Sequence, residues 1–595
     1  MQVEDIQYFF NAGISYSQED KHELAIESYK KAIEINPNYS QIYYNLAITY
    51  FKINQYDLAI INFKKATELD PNFHLAFNNL GIIYAQKKQY DLAIEYFNKA
   101  LTVNNSDIGT YLNLANTYFN KNEYDSAAEY YRKVLDLNPN DANAYVKSGI
   151  ILSKKDETDK AILYYQKALE LEPENVEALY SLGDAFKIKK ETEKAIYYYE
   201  EAVKLKKDSP ELYNNLGFAY LEQGDSSKAI FYCKKALELN PDYISAIINL
   251  TDVYFKNNTV EDAKYYMDKA YELNIKNPEY ALNLSLKYLL TRDFEKGFKL
   301  YEQRFFIEKN SYPKIITQKS KWDGNDIKGK TIFVSNEQGL GDSIQFIRFI
   351  PTLISLGAKV LFMAQPDLQK LFNQSNLDAE ILNYSHKLEN YKFDTYTYLL
   401  SLPYLLKTNI QNIPCKTKYL KAKDNQVQFY KEKYFSNDCF KIGIYWQGNP
   451  NSSVDNGRSI PLKYFDKLKD IPNIKIYSLQ KEHGLDQLNS INNDMEIVRI
   501  GETFNDFSET AAAIENLDLI IGSDTAIAHL AGALGKPVWM LLHTENEWRW
   551  SYDIEYSYWY ESMRIFRQKE PENWGEVMER IHESLMDLLK IKELN

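Results

Sequence analysis

The first half of the chain repeats itself every 34 residues. Gly13, Ala47, Gly81, Ala115, Gly149, Gly183 and Gly217 fall one period apart, as do Ala25, Ala59, Ala93, Ala127, Ala161, Ala195, Ala229 and Ala263. Pro37, Pro71, Pro139, Pro173 and Pro241 share a third position. A fixed period of this length restricts the chain to a stack of like helix pairs, because one pair cannot bury its apolar face alone. Small residues at two positions let paired helices approach closely, and Pro closes the second helix. The period predicts eight full units, starting near Ile6, Ser40, His74, Ile108, Ala142, Val176, Pro210 and Ile244, with a degenerate ninth near Pro278. The 50 tyrosines among 595 residues largely follow this register. Tyr16, Tyr50, Tyr84, Tyr118, Tyr220, Tyr254 and Tyr288 occupy one position, which assigns them to packing.

This pattern resembles the tetratricopeptide repeat over about residues 6–308, which implies an all-α superhelix with a concave groove for extended peptides. Asn11, Asn45, Asn79, Asn113, Asn215, Asn249 and Asn283 share one position, two residues before the small Gly/Ala site; Lys147 and Ser181 interrupt the row. A carboxamide donates and accepts, so it can pair with a peptide backbone of any sequence. The array is similar to that of O-GlcNAc transferase, whose asparagine ladder at this position holds acceptor polypeptide. The alternative is that Asn is simply common at this position of the repeat.

After Gln303-Arg304-Phe305 the period stops. Residues 309–328 read as a joint, 329–437 as a first α/β lobe and 438–595 as a second, nucleotide-sugar lobe. Apolar runs of strand length alternate with helical patterns, which points to parallel sheets. Strands are expected at Thr331–Ser335, Lys359–Met363, Thr395–Leu400, Lys441–Trp446, Lys475–Leu479, Ile497–Ile500, Leu519–Gly522 and Pro537–Leu542. Helices are expected at Ser343–Leu356, Asp367–Phe372, Ser508–Asn516, Ala526–Leu534 and Trp574–Leu589. Two Rossmann-like lobes of this kind bind ligands beyond the carboxyl ends of their strands.

The segments EQGLGDSIQFIRFIP (337–351), GRSIP (457–461) and SDTAIAHLAGALGKPVW (523–539) resemble glycosyltransferase family 9, the heptosyltransferase-like family with a GT-B fold. The likeness implies a metal-independent, inverting transferase that takes a nucleotide-sugar as substrate and needs no cofactor. It places the catalytic base at Asp342, in the turn that Gly339 and Gly341 keep open to a close ligand; a helix cap is the other role for this Asp. Gln338 and Gln345 line the same mouth. Ser523, Asp524 and Thr525 precede a helix, whose free N–H groups suit a diphosphate. The likeness implies donor contacts from Asp524 and Thr525, and His529 lies within reach; capping and a packed histidine are the alternatives. Arg458 stands where heptosyltransferases carry Lys, and a cation there suits the charge that develops on a leaving diphosphate; a solvated loop Arg is the alternative. Trp548, Trp550, Trp559 and Tyr560 suit either stacking on a ligand or a hydrophobic seal.

Composition narrows the rest. A net charge of −13 argues against coating nucleic acid, and the three cysteines, far apart, leave no disulfide framework or Cys-x-x-Cys pair. No Asp-x-Asp occurs in 309–595 and no zinc spacing is visible, so no metal site is expected. The start carries no signal-peptide pattern and no apolar run reaches 18 residues, so a cytoplasmic protein without a transmembrane segment is expected. The reading is a glycosyltransferase acting on a polypeptide held by the superhelix. The alternatives are a non-catalytic adaptor with a ligand-binding or degenerate GT-B domain, and a transferase acting on a lipid-linked glycan.

Overall fold

The computed structural model describes residues 2–307, 315, 317–383, 388–450, 457–490, 495–544 and 547–593. Part of the expected joint (308–314 and 316) and of the loop between Asn449 and Arg458 (451–456) lies outside them. The chain divides into two compact units, Met1–Tyr266 and Met267–Asn595.

The first unit is all helix. Its paired helices begin at Gln2, Ser40, His74, Ile108, Ala142, Val176, Pro210 and Ile244, each returning through a partner such as Tyr56–Leu69 or Tyr90–Val103. The alanine row is buried throughout, from Ala25 to Ala263. The glycine position has a packing cause. A Cβ on Gly183 would meet the Tyr199 ring at 2.4 Å, and one on Gly81 would meet Phe97 at 2.5 Å. Tyrosine packs as the register predicts: the rings of Tyr84–Tyr96, Tyr118–Tyr130 and Tyr220–Tyr232 stack within 8° of parallel. Every turn between paired helices contains a left-handed residue: Asp20, Asn54, Lys88, Asn122, Asp156, Lys190, Gly224 and Asn258.

The second unit opens with the ninth helix pair, Pro278–Leu290 and Phe294–Tyr301, and a 3-10 turn, Glu302–Phe306. Two all-parallel sheets follow. The first contains β1 (Thr331–Ser335), β2 (Lys359–Ala364), β3 (Glu380–Asn383) and β4 (Thr395–Tyr398), in the order β3-β2-β1-β4. The second contains β5 (Phe440–Tyr445), β6 (Ile474–Ser478), β7 (Ile497–Arg499), β8 (Leu519–Ser523), β9 (Val538–Leu542) and β10 (Met563–Arg567), in the order β10-β9-β8-β5-β6-β7. Strand order reverses between β5 and β8, which is where a parallel sheet leaves a ligand crevice. The result is an all-α repeat region followed by an α/β region with two parallel sheets, consistent with a GT-B-like fold.

Three local expectations change. The edge strands β3 and β10 are additional. The helix expected over Ser343–Leu356 is broken into Leu340–Phe346, a 3-10 turn at Ile347–Phe349, and Ile350–Ser355. Pro351 has no N–H to continue the ladder. Arg348, fully buried at this break, donates from Nε to the Gln345 carbonyl (2.7 Å) and from Nη2 to Tyr419 (2.9 Å). A further helix, Asp424–Tyr434, precedes the second sheet.

The ninth pair is built into this unit. Arg304 is completely buried, and its guanidinium forks onto both Glu337 oxygens at 3.0 and 2.9 Å, with Ser401 Oγ at 3.0 Å. Phe294 stacks on Trp559, and Ser551 donates to the Leu290 carbonyl (3.0 Å). The pair and the 3-10 turn that ends it thus contact residues following β1 and β4 as well as the loop before β10.

Candidate functional site

A cavity of about 600 Å³ opens between the two lobes at the carboxyl ends of the strands. The first lobe contributes Gly339, Leu340, Gly341 and Asp367. The second contributes Gln447–Asn449 after β5, Arg458, Gln480–His483 after β6, Phe504–Phe507 after β7, and Asp524–Ile527 after β8. Five of the residues singled out in the sequence, Gly339, Gly341, Arg458, Asp524 and Thr525, therefore meet around one space.

Each is positioned by its local structure. Thr525 is the extended N-cap of helix Ala526–Ala533, and its side chain makes no capping bond. Its Oγ1 is buried without a hydrogen-bond partner among the described residues, as is Ser523 Oγ, which sits inside β8 rather than on the cavity wall. Helix N-termini leave backbone N–H groups unbonded, so this end of the helix presents donors to the cavity. Arg458 Nη2 pairs with Asp524 Oδ2 at 2.5 Å. Burial pushes the Asp524 carboxyl up, but the Arg458 guanidinium paired with it outweighs that and holds it below its usual range.

His529 does not line the cavity. It is buried beneath Gly341, where a Cβ would come within 3.0 Å of its Cδ2. Its ring stacks near Trp550 at 5.3 Å, Nδ1 lies 2.9 Å from the Tyr560 hydroxyl, and Nε2 is 3.8 Å from Asp524. Desolvation pulls its pKa down to about 3, against the opposing field of Asp524. Trp548, Trp550, Trp559 and Tyr560 are likewise buried, which is the seal rather than the stacking platform.

Asp342 sits in the first turn of helix Leu340–Phe346. Its Oδ2 accepts from the Gly339 N–H at 3.0 Å, and its Oδ1 accepts from Arg549 Nη2. Arg549 also donates from Nε to Gln345 Oε1 (2.9 Å) and from Nη1 to Glu547. Asp342 is thus both a helix cap and half of an ion pair across the lobes. Gln338 is turned away, donating to the Tyr301 hydroxyl at 2.9 Å.

Sequence reasoning left out Arg549 as a site residue, and also Gln480. The Gln480 side chain accepts from the Trp446 and Gln447 N–H groups (3.0 and 3.1 Å) and donates to the Gln447 and His483 carbonyls (2.8 and 2.9 Å). One buried amide therefore fixes two loops of the cavity wall. The available signal was a polar residue directly after an apolar strand.

In the first unit, the asparagine row is braced by its own chain. The Nδ2 groups of Asn79, Asn113, Asn215 and Asn249 donate to Tyr44, Asn78, Tyr180 and Asn214, each 35 residues earlier, at 2.9 to 3.2 Å. Asn11 accepts from Gln7 (3.1 Å), and Asn45 is half-buried. Asn283, in the second unit, accepts from Lys287 (2.5 Å). Among the described residues, no group of three or more His, Cys, Asp or Glu is placed to hold a metal ion, and no helix is long and apolar enough to cross a membrane.

Comparison with known proteins divides along the same line. Tetratricopeptide-repeat models match residues 40–73, 74–107, 109–141 and 210–243, and also 13–54, 149–189 and 183–224. The model for glycosyltransferase family 9 (heptosyltransferase) matches residues 466–575. The first unit thus carries tetratricopeptide repeats, and the second carries a family-9-like glycosyltransferase region, which supports transferase-type chemistry there. Protein FlbA of Caulobacter vibrioides is 23% identical over 315 residues, which cover 49% of this chain. The chain spans about half the length (52%) of that curated relative. Among solved structures, Pseudomonas aeruginosa pilF is similar at 23% identity over 38% of this chain and 98% of that one, with a TM-score of 0.32. The tetratricopeptide protein YrrB is similar at 22% identity over 31% of this chain and 95% of that one, with a TM-score of 0.28.

Proposed function

We propose that the protein transfers a sugar, with inversion and without a metal, from a nucleotide-sugar to a polypeptide presented by the repeat array. The observation that carries this reading is the cavity itself, where the Gly339–Gly341 turn, Arg458, Asp524 and the helix N-terminus capped by Thr525 converge. The helix end and Thr525 would receive the donor diphosphate, with Arg458 exchanging part of its bond to Asp524 for phosphate oxygens. Ser523 and His529 would act from beneath, shaping that helix start rather than touching the donor. The acceptor oxygen attacks the anomeric carbon, the bond from that carbon to the phosphate oxygen breaks, and the nucleotide leaves with the electron pair. Asp342 takes the acceptor proton, held in place by the Gly339 N–H and Arg549. The asparagine row would offer amide groups to the acceptor backbone, with the Nδ2 donors braced in four of them and the carbonyls of Asn79, Asn113 and Asn249 turned to peptide N–H groups; the Asn215 carbonyl already accepts from Asn214 (3.3 Å).

The test is nucleotide-sugar binding by calorimetry, followed by transfer with the best-bound donor. Asp342→Asn should keep donor affinity and lower turnover by roughly 100-fold or more. Arg458→Ala should weaken donor binding as well as turnover. Full turnover by Asp342→Asn would remove it as the base, and a wild-type protein that binds no nucleotide-sugar would leave the adaptor reading in its place.

A further inference from the structure

The outward position of the second helix in each repeat changes character along the first unit. Unit two carries Ile61 there, 62% exposed and isolated between charged positions; units one, three and four carry Glu27, Glu95 and Glu129, each exposed and paired with a lysine four residues on. That is the ordinary solution for a solvated helix face. From unit five onward the same position holds Leu163, Tyr197, Phe231 and Tyr265, each 34 residues from the last. They are 64%, 56%, 54% and 65% exposed. The run is bounded in sequence by Glu129 before it and Lys299 after it. Single exposed apolar residues need no explanation, but four at one register position on consecutive helices form a line. Its exposed area is on the order of 500 Å², the size of the largest apolar patch that a soluble monomer carries, and such patches are often functional.

The charges beside the line identify what fits it. Helices Thr158–Leu171, Thr192–Leu205, Ser226–Leu239 and Val260–Glu272 carry net charges of 0, −1, +2 and −2 in chain order. We propose that this stripe is the centre of a twofold interface with a second copy of the same chain, in which unit six packs against unit seven of its partner and unit five against unit eight. That arrangement sets the −1 helix, with Glu201 near Tyr197, against the +2 helix, with Lys234 and Lys235 near Phe231; Glu201 and Lys235 each also pair within their own helix, with Lys204 and Glu238. The in-register alternative sets +2 on +2 and −2 on −2, which like-charge repulsion disfavours. A twofold contact is self-complementary, so one stripe with this charge order serves both copies. The stripe supplies more than half of the roughly 800 Å² per partner that a stable interface buries, and the flanking charged residues supply the polar rim. This inference is independent of the transferase reading.

The experiment is sedimentation equilibrium of the full-length protein at roughly 10 µM, a concentration at which a dimer of ordinary affinity is populated. Wild type should sediment as a dimer. Tyr197→Glu with Phe231→Glu should raise the dimer dissociation constant by roughly 30-fold or more, with the far-UV circular dichroism melt unchanged. Glu201→Lys, and separately Lys234→Glu with Lys235→Glu, should each weaken the dimer, and all three together should restore it. These reversals alter no apolar residue, so they decide the matter alone if the first variant melts early. A monomeric wild type, a dimer indifferent to Tyr197→Glu with Phe231→Glu, or a triple charge-reversal variant that fails to recover would each overturn the proposal.

Discussion

Packing decides the chemistry of His529. The ring lies under Gly341 among Trp550 and Tyr560, and burial holds it neutral down to about 3. In the unfolded chain a histidine gains its proton near pH 6.5. Between those values the unfolded state binds a proton that the folded state refuses, so stability falls as pH falls through that window, by about 1.4 kcal/mol per unit at most. Above pH 6.5 both states are neutral and the term vanishes. His529→Gln, which can still meet the Tyr560 hydroxyl, should therefore flatten the loss of stability between pH 6.5 and 4 relative to wild type, measured as denaturant midpoints at each pH. Parallel pH curves for the two proteins would mean that the imidazole is protonated in place. The same burial explains why His529 is absent from the cavity wall even though it follows Thr525 by only four residues. On an eight-residue helix the start faces the ligand space while the next turn faces the core.

At the scale of elements, the ninth helix pair is the part whose role differs from its sequence pattern. It keeps the repeat register, yet its residues are committed to the α/β unit: Arg304 to Glu337 and Ser401, Phe294 to Trp559, and Arg292 to Asp553 at 2.7 Å. A buried ion pair contributes little net stability compared with apolar residues, but removing one partner strands the other charge out of water. Arg304→Met should therefore destabilise the second unit by about 3–5 kcal/mol, read from guanidinium unfolding followed at Trp559 and its neighbours; a change below about 1 kcal/mol would show that Glu337 is accommodated without its partner. What the sequence revealed at this scale follows from the strength of each local signal. The helix pairs were legible because small residues, aromatics and prolines recur at fixed positions. The central strands were legible because strands buried on both faces read as continuous apolar runs. Edge strands β3 (EILN) and β10 (MRIFR) were not, since each is short and interleaved with polar residues that face solvent or a helix. The left-handed turn position was also hidden, because Asp, Asn, Lys and Gly all occupy it in different units.

For the whole molecule, the compact units and the repeat pattern place the boundary differently. The period continues to about residue 308, whereas the second compact unit begins at Met267. Motif positions for the cavity were legible from turns after strands, as with Gly339 and Thr525. The ion pair between Asp342 and Arg549 was not, because 207 residues separate its partners and no local pattern links them. This difference in boundary gives a test of what the array contributes. A chain shortened to residues 260–595, which begins with the whole helix Val260–Glu272 whose Asp268 and Tyr271 accept from Tyr288 and Lys299, keeps Arg304, Phe294 and the Leu290 carbonyl that Ser551 bonds. It should unfold cooperatively and retain donor binding. A chain shortened to residues 309–595 loses all three and should aggregate or melt without a clear transition. If the array presents the acceptor, the 260–595 chain should lose polypeptide transfer by roughly 100-fold or more, since the second contact would no longer be intramolecular, while hydrolysis of the donor stays within a few-fold of the full chain. Equal polypeptide transfer by both chains would detach the array from acceptor presentation and favour an acceptor, such as a lipid-linked glycan, that reaches the cavity unaided.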